Sequence, residues 1–430
     1  MFDFLDVIPA FVRILIIFAL ILLVIKRKWT LGNAFLAGSA GLGLIFGLGP
    51  LPIIRSAAAA VVHPKTLSLS IVVSLILVLS HSLEKSGQMT RLLEGFKGLI
   101  RWPKVNMVIF PALIGLLPMP GGAIFSAPMV KNLGDDYGLS GSQLSYINYW
   151  FRHIWEYWWP LYPGILLTTA LAEVDLWHLV FFTLPLTVVA VAVGYWPLRG
   201  TMAGPQKVAA RHAMGPFFKE LAPVLFVIVF GLALGQVMSG ILPGGMSGIA
   251  KESGLIVALL LAIVWVWLGN AMSGPVCWKI IRQPALLKMI YMVTAILIFK
   301  GVLEDSGAVN LVSREMLRWH IPLMPIAMIL PFLVGMVAGI TIAFVGTTFP
   351  ILISLIHSLG QSHLMLPFLM LALASGFVGV LLSPLHLCLL LSNEYFQTSL
   401  IPVYRHMRLP IGAMLLAASL YFSVLRYLME

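Results

Sequence analysis

The sequence predicts an all-α membrane protein that crosses the bilayer many times and consists of two inverted halves. Hydrophobic residues make up 60% of the chain and charged residues only 10%, and the mean hydropathy is +1.00. Soluble domains carry about 25% charged residues, so this chain has too little polar surface to be covered by water. Apolar runs near the ~20 residues that a helix needs to cross a bilayer recur along the chain. An internal repeat predicts the two halves.

Hydropathy, together with the positions of proline and glycine, divides the chain into crossings and interrupted segments. Two apolar segments, 105–132 and 322–358, contain several prolines and glycines. Such residues are tolerated at membrane depth where protein or water surrounds the backbone, so we expect both segments to be re-entrant hairpins. Ten full crossings are expected near 8–26, 30–53, 66–84, 145–170, 176–197, 216–240, 253–271, 286–303, 366–394 and 411–428.

The internal repeat covers much of each half. The matched positions, 220 to 224 residues apart, are 83–87 (LEKSG) with 303–307 (LEDSG), Pro111 with Pro331, Gly115 with Gly335, and Pro160 with Pro384. Each half then holds five crossings and one hairpin. An odd number of crossings inverts the second half relative to the first. The first repeat is expected at 1–200 and the second at 214–430, joined by a cytoplasmic linker at 201–213.

The basic residues predict the orientation in the membrane. The net charge is +11, and most of the 27 lysines and arginines fall in cytoplasmic connections if the N-terminus lies outside. We therefore expect both termini outside, in the inner membrane of a prokaryote, with lipid around the chain and no nucleic-acid partner. Asp3 and Asp6 precede the first apolar run and its basic residues follow it, which is unlike a secretory signal. Cys277 and Cys388 show neither metal-ligand spacing nor a disulfide framework.

Interruptions at equivalent places in the two halves predict where a ligand binds. The hairpin tips are expected at 118–122 and 339–348. The helix at 145–170 is expected to break at Pro160 and Pro163-Gly164, and the helix at 366–394 at Ser383-Pro384. A broken helix exposes N–H groups that attract anions and carbonyls that attract cations. The alternative is four ordinary kinks, which are common in membrane helices. Their pairing by the repeat favours a binding site.

A charged stretch in the first broken helix carries the strongest functional signal. Arg152, His153 and Glu156 fall on one helical face together with Tyr149 and Pro160. Ionisable groups inside a bilayer face protein or a wet cavity and are functional by default. We expect Arg152 to bind an anionic group and His153 or Glu156 to carry a proton. The alternative is an i,i+4 ion pair between Arg152 and Glu156 that only fixes the helix.

Polar residues near the other interruptions complete the candidate site. Ser383, His386 and Asn393 share one helical stripe beyond the second break, where His386 is either a ligand or a hydrogen-bonded structural residue. Hydroxyl groups near the tips bind a ligand or merely pack helices, as small residues do in membranes. The candidate substrate-binding residues are Pro120, Gly121, Gly122, Ser126, Arg152, His153, Glu156, Tyr162, Thr347, Thr348, Ser383 and His386.

One functional class is excluded by missing motifs. There is no GxxxxGK[ST] run, no HExxH and no soluble domain large enough to bind a nucleotide, which excludes an ATP-driven pump. No catalytic residues are assigned. The alternative to a transport protein is a membrane-embedded enzyme that uses His153 and Glu156 on a lipid-borne substrate.

One segment carries a family resemblance. Residues 117–123 (LPMPGGA) and 125–128 (FSAP), with the Trp/Arg/His/Glu stretch, resemble the family called domain of unknown function 401, over nearly the whole chain. The two hairpins, each followed by a broken helix, resemble the ion transporter superfamily, which includes divalent-anion/sodium symporters. The Ser-Asn-Thr hairpin signature of those symporters is absent from both tips.

The resemblance implies a secondary active transporter. It implies symport of a small anionic, carboxylate-type solute by an elevator-like alternation of access, in a homodimer whose moving domain holds both hairpins. No cofactor is expected apart from a coupling sodium ion. Its ligands are expected near Ser126, Thr347, Thr348 and Ser383, where hydroxyls and open carbonyls offer hard oxygen atoms.

Overall fold

The protein is all-α, as the sequence predicts. The computed structural model describes residues 8–96, 103–119, 121–199, 214–241 and 250–430, which form helices and no β-strand. Eight of the described helical segments are long and apolar enough to cross a membrane, so the chain is a multi-pass membrane protein. The predicted linker at 201–213 and the candidate residue Pro120 lie outside the described residues.

The helices follow one another in the same order in the two halves of the chain. Those of the first half are α1 Ala10–Lys26, α2 Leu31–Ile45, α3 Pro50–Val62, α4 Pro64–Lys85, α5 Gln88–Phe96, α6 Pro103–Gly115, α7 Ala123–Asp135, α8 Gly141–Arg152, α9 Pro163–Ala172 and α10 Leu176–Tyr195. Those of the second half are α11 Met214–Ile241, α12 Ala250–Gly269, α13 Gly274–Ile281, α14 Pro284–Asp305, α15 Ala308–Trp319, α16 Leu323–Ala338, α17 Thr341–Ser358, α18 Met365–Leu382, α19 Leu387–Tyr395 and α20 Leu400–Met429. Each half therefore contains a helical hairpin, α6–α7 or α16–α17, followed by a broken helix, α8–α9 or α18–α19.

The repeated LEKSG and LEDSG segments end equivalent helices. Gly87 follows α4 with φ +71 and Gly307 follows α14 with φ +65. This left-handed conformation commonly ends a helix and favours glycine, which has no Cβ. The short amphipathic helices α5 and α15 come next, and each buries its apolar face. Hydropathy alone does not predict these two helices, because they are too short and too polar to cross a membrane.

The two predicted crossings nearest the N-terminus differ from the expectation of ten full crossings. The segment expected at 30–53 is two helices, since α2 ends at Ile45 and α3 begins at Pro50. Neither of them, nor the 17-residue α1, is among the eight helices that are long and apolar enough to cross. The hairpin arm α17 is among the eight. The final crossing, expected at 411–428, lies within a longer helix that begins at Leu400.

Two pairs of equivalent helices, α4 with α14 and α10 with α20, run in opposite directions. Lys65 at the start of α4 and Glu304 at the end of α14 line one cavity, so α4 and α14 are antiparallel. Near the end of α10, the carbonyl of Gly194 accepts a hydrogen bond from Tyr146. The ring of Tyr146 also lies 6.0 Å from His406, near the start of α20, so α10 and α20 are antiparallel too. A two-fold axis in the membrane plane requires this arrangement. The inverted relation of the complete halves stays a prediction.

The helices pack into two bundles, and each bundle takes helices from both halves. One bundle contains α1–α4 and α11–α14, and the other contains α6–α10 and α16–α20, with both hairpins. In the second bundle α16 and α18 are in very close contact. A Cβ on Gly335 would lie 2.1 Å from the carbonyl oxygen of Gly376, and one on Gly379 would lie 2.1 Å from that of Phe332. Small residues allow such contact between the backbones of membrane helices.

Candidate functional site

Both hairpins and both broken helices meet at one place inside the second bundle. We call the residues between α6 and α7 the first tip, Gly339 and Ile340 the second tip, 153–162 the first break and 383–386 the second break. Arg152 Nη2, at the edge of the first break, donates to Met119 O in the first tip at 2.6 Å. Thr341 Oγ1, beside the second tip, donates to Glu156 Oε2 at 3.1 Å. The structure therefore brings together the four interruptions that the sequence singles out.

The first break is longer than the sequence suggests. Helix α8 ends at Arg152, and α9 begins only at Pro163, whose missing N–H suits the first turn of a helix. The prediction of one helical face for Arg152, His153 and Glu156 is therefore wrong, because 153–162 form turns instead of helix. The alternative of an Arg152–Glu156 ion pair also fails. Within the described residues Glu156 lies instead 3.7 Å from His153 Nε2, and no ion pair within 4.0 Å joins it to Arg152.

Arg152 is a buried charge packed against the backbone of the first tip. Arg152 is only 2% exposed, and its Nε has no hydrogen-bond partner within the described part of the chain. Gly122 makes this position available, because a Cβ there would lie 2.3 Å from Arg152 Nη2. Gly121 has φ +75, a conformation that favours glycine. The two predicted glycines of the first tip thus lie at the site.

The two predicted histidines are in direct contact. His153 Nε2 and His386 Nε2 are 3.1 Å apart. The other ring nitrogen of each histidine faces a backbone carbonyl. His153 Nδ1 lies 2.5 Å from Tyr149 O, and His386 Nδ1 lies 2.9 Å from Gly339 O. One histidine comes from each half, so this contact joins the two breaks.

Cys388 lies beside the two histidines. The ligand atoms of His153, His386 and Cys388 all lie within 4.8 Å of one another, and all three residues are buried. The sequence shows no metal-ligand spacing around Cys388, and the structure places its sulfur in a buried cluster of possible metal ligands. Its partner His153 is 235 positions away in the sequence, so spacing along the chain could not reveal the cluster. Cys277 lies in α13, on the other bundle.

Aromatic residues of the first break and of α8 donate hydrogen bonds to the first hairpin and to α18. Tyr162 donates to Gly115 O at 2.5 Å, Trp155 Nε1 donates to Ala112 O at 2.7 Å, and Tyr149 donates to Leu381 O at 3.1 Å. Other donors of the first break stay unused. Within the described residues, the buried atoms Tyr157 Oη, Trp158 Nε1 and Trp159 Nε1 have no hydrogen-bond partner.

The predicted hydroxyl residues take different places. Ser126 donates to Asn148 Oδ1 at 2.6 Å, and Asn148 Nδ2 donates to Ser392 Oγ at 2.9 Å, which forms a polar network between α7, α8 and α19. Thr347 and Thr348 lie inside α17, where they donate to carbonyls of their own helix. The second tip is thus shorter than the predicted 339–348, and Thr341 is the hydroxyl residue beside it.

The second break also differs from its prediction. Ser383 and His386 are in the non-helical break, whereas Asn393 is in α19, so the three do not share a helical stripe. Ser383 Oγ accepts a hydrogen bond from Leu385 N at 3.2 Å. It also packs against the second tip, since a Cβ on Gly339 would lie 2.8 Å from it. Asn393 Oδ1 accepts from Ser145 at 2.6 Å.

A cavity of about 370 Å³ lies between the two bundles and reaches the first break. Pro160 and Leu161 form part of its wall, and α4, α9, α11, α12 and residues 173–177 form the rest. Its polar lining includes Lys65, Glu173 and Glu252. The cavity therefore extends from the side of the site towards the ends of these helices.

The fold and the site together define a multi-pass α-helical membrane protein in which two hairpins and two broken helices enclose a buried polar site. The chain belongs to the family described as protein of unknown function (DUF401), whose model matches residues 10–425. This confirms the narrower of the two resemblances seen in the sequence. No curated protein matches the chain.

Proposed function

We propose that the protein is a secondary active transporter that moves a small anionic solute by alternating access. The observation that supports this most strongly is Arg152, a buried guanidinium between the first tip and the first break. Burying an arginine at membrane depth is unfavourable, by about 2.5–3.5 kcal/mol at the centre of a helix on the insertion scale, so a compensating partner is expected. The carbonyl of Met119 accepts from Nη2 but carries no charge.

The unused donors of the first break support an anionic solute. Arg152 Nε, Tyr157 Oη, Trp158 Nε1 and Trp159 Nε1 are buried and unpaired in the described structure. Each buried donor without a partner is unfavourable by about 1–3 kcal/mol, so a ligand that accepts several hydrogen bonds would stabilise this segment. A carboxylate suits Arg152, because a guanidinium can donate to two oxygens at once.

The two bundles support alternating access. Both hairpins and both breaks belong to one bundle, so that bundle could carry the solute past the other as a unit, in an elevator-like movement. The cavity beside Pro160 would give the site a connection to one side of the membrane. The ion transporter superfamily resemblance supports the same mechanism and supports a homodimer, with the first bundle as the scaffold.

We propose sodium as the coupling ion. Oxygen ligands suit sodium, and the buried network of Ser126, Asn148 and Ser392 offers them where α7, α8 and α19 meet. Ser383 adds a hydroxyl in the second break. Uptake into proteoliposomes should rise with an inward sodium gradient. Uptake that persists without sodium, yet collapses when a proton gradient is dissipated, would assign the coupling to the proton and to His153 or Glu156.

The decisive experiment compares Arg152 variants in proteoliposomes by their uptake of labelled mono-, di- and tricarboxylates. Arg152→Lys keeps the charge but loses the planar fork, so we expect weaker binding with normal insertion. Arg152→Ala should abolish uptake. The matched control is Arg282→Lys, which changes an exposed arginine packed on Trp278, far from the site in sequence and on the other bundle.

Two outcomes would count against the proposal. If the Ala variant inserts normally and transports like the wild type, Arg152 is structural and the anionic solute loses its main support. Chemical turnover of a lipid substrate in the absence of any ion gradient would instead indicate a membrane-embedded enzyme.

A further inference from the structure

We propose that His153, His386 and Cys388 form a binding site for a transition-metal ion of the zinc class, where the two breaks meet. This metal site is distinct from the proposed solute interaction of Arg152 and does not require that the protein be a transporter. It uses side chains from both halves, one from the first break, one from the second break and one from the first turn of α19.

Hydrogen bonding by the histidine rings provides the first argument. A backbone carbonyl can only accept a hydrogen bond, so His153 Nδ1 facing Tyr149 O and His386 Nδ1 facing Gly339 O must both carry hydrogen. A neutral imidazole carries a single N–H. Both Nε2 atoms are then lone pairs that face each other at 3.1 Å. Two lone pairs at this distance repel each other unless a cation lies between them.

The distances fit a metal ion as that cation. Two nitrogens bound to one tetrahedral zinc ion at ~2.0–2.1 Å are roughly 3.3 Å apart, and the Nε2 atoms here are 3.1 Å apart. Cys388 adds a buried sulfur, and the ligand atoms of the three residues all lie within 4.8 Å of one another. Imidazole and thiolate are the ligands that zinc prefers, and a hard cation such as sodium does not select them.

The surroundings of the rings provide a second argument. Histidines that bind a metal almost always donate the other ring N–H to a carboxylate or a backbone carbonyl, which fixes the tautomer and the ring orientation. Both histidines meet this condition through Tyr149 and Gly339. Glu156 Oε1 lies 3.7 Å from His153 Nε2 and is near enough to act as a fourth ligand.

Cobalt provides a direct test, because Co²⁺ replaces Zn²⁺ in such sites and its spectrum reports the ligands. The full-length protein, purified in detergent and stripped with a chelator, should bind one equivalent of Co²⁺. We expect visible bands of tetrahedral Co²⁺ and a near-ultraviolet thiolate-to-cobalt band, both removed by added Zn²⁺. Cys388→Ser should lose the ultraviolet band, whereas the matched control Cys277→Ser should keep it. His386→Gln should weaken Co²⁺ binding at least tenfold.

The wild-type protein gives a second readout, which does not depend on how the variants fold. X-ray absorption of the zinc-loaded protein should show one sulfur ligand at ~2.3 Å and two nitrogen ligands at ~2.0–2.1 Å. An absence of stoichiometric Co²⁺ or Zn²⁺ binding would overturn the proposal and leave a proton as the cation between the rings. A thiolate band that persists in Cys388→Ser would overturn it as well. Metal binding without solute transport would support this site and count against the transporter. Solute transport without metal binding would support the transporter and count against this site.

Discussion

Arg152 and His153 lie in a site whose charged side chains come only from the first half of the protein. At the offset of 224 that relates the breaks, the equivalent of Arg152 is Gly376 and the equivalent of His153 is Phe377. The side chains at the centre therefore differ between the two halves. Each buried charge in a membrane protein is unfavourable, so a single polar site built from one half's charges is less costly than two.

His386 shows how the second half contributes in a different way. Its equivalent in the first half is Tyr162, since 386 − 162 = 224. Tyr162 donates to Gly115 O and His386 Nδ1 lies 2.9 Å from Gly339 O, so each side chain contacts a carbonyl of the hairpin of its own half. The shared contact is consistent with a structural role in both halves. The imidazole keeps a second nitrogen free for His153, which the phenol of Tyr162 does not have.

The first prediction concerns Gly122. A Cβ at this position would lie 2.3 Å from Arg152 Nη2 and 3.0 Å from its Cζ, so Gly122→Ala should displace the guanidinium from the first tip. We expect transport, or solute binding measured by thermal stabilisation, to weaken about tenfold or more, which corresponds to at least about 1.4 kcal/mol. Gly412→Ala is the control, because a Cβ on Gly412 meets nothing within 4 Å. An unchanged affinity in Gly122→Ala would show that the solute does not need Arg152 in this position.

Most of the site's residues could be predicted from the sequence, but their contacts could not. Arg152 and Glu156 stand out because charges are rare in apolar segments, and Gly122 stands out as part of the Pro-Gly-Gly run of the first tip. Cys388 gives no such signal, since a cysteine in an apolar helix is an ordinary buried residue. Its meaning depends on His153 in the other half, and only the folded chain brings the two together.

At the level of single elements, each hairpin packs on its broken helix through an equivalent glycine. A Cβ on Gly115 in α6 would lie 1.9 Å from Arg152 O, and one on Gly335 in α16 would lie 2.1 Å from Gly376 O. The glycines are 220 positions apart and the carbonyls 224 apart, which are the offsets of the sequence repeat. The repeat therefore marks a contact between two helices that must approach closely, and this explains why a glycine stands in both halves.

The second prediction follows from this contact. Gly115→Ala and Gly335→Ala both place a methyl group against a backbone carbonyl, which cannot rotate away as a side chain can. Overpacking of this kind destabilises a protein by about 1–3 kcal/mol, so thermal unfolding in detergent should begin several degrees lower for both variants. Gly240→Ala, at a position with nothing within 4 Å, should unfold like the wild type. If one hairpin glycine tolerates alanine and the other does not, the two contacts are not equivalent.

The sequence predicts the long elements better than the short ones. The helices α4 and α14 match their predicted spans, because apolar runs of this length have few other structures in a membrane. The first break was expected at Pro160 and Pro163-Gly164, yet it extends over 153–162. Hydropathy reports how apolar a segment is and not its backbone conformation, so it cannot show that this segment is not helical. In the second hairpin, α17 begins at Thr341, directly after the second tip, although the sequence predicts a tip that extends over 339–348.

At the level of the whole molecule, contacts between the halves occur in exchanged pairs. Helix α2 packs on α14 and α12 packs on α4, and the same exchange relates the pair α9–α17 to the pair α19–α7. Such exchange is the property of a two-fold relation between the halves. Each bundle consequently contains equivalent helices from both halves, and the site lies where the two sets meet. The antiparallel directions of α4 and α14 favour an axis in the membrane plane over one along the membrane normal.

The last prediction tests this axis by the sidedness of two equivalent positions. Lys85 at the end of α4 and Asp305 at the end of α14 are exposed, and they are 305 − 85 = 220 positions apart. An in-plane axis puts them on opposite sides of the membrane, and the positive-inside rule assigns Lys85 to the cytoplasm. We therefore expect Asp305→Cys to react with a membrane-impermeant maleimide in intact cells. Lys85→Cys should react only after permeabilisation, with both changes made in a Cys277→Ser background in which the remaining Cys388 is buried. Labelling of both positions from the same side would mean that the halves are parallel, and the inverted-repeat topology would have to be abandoned.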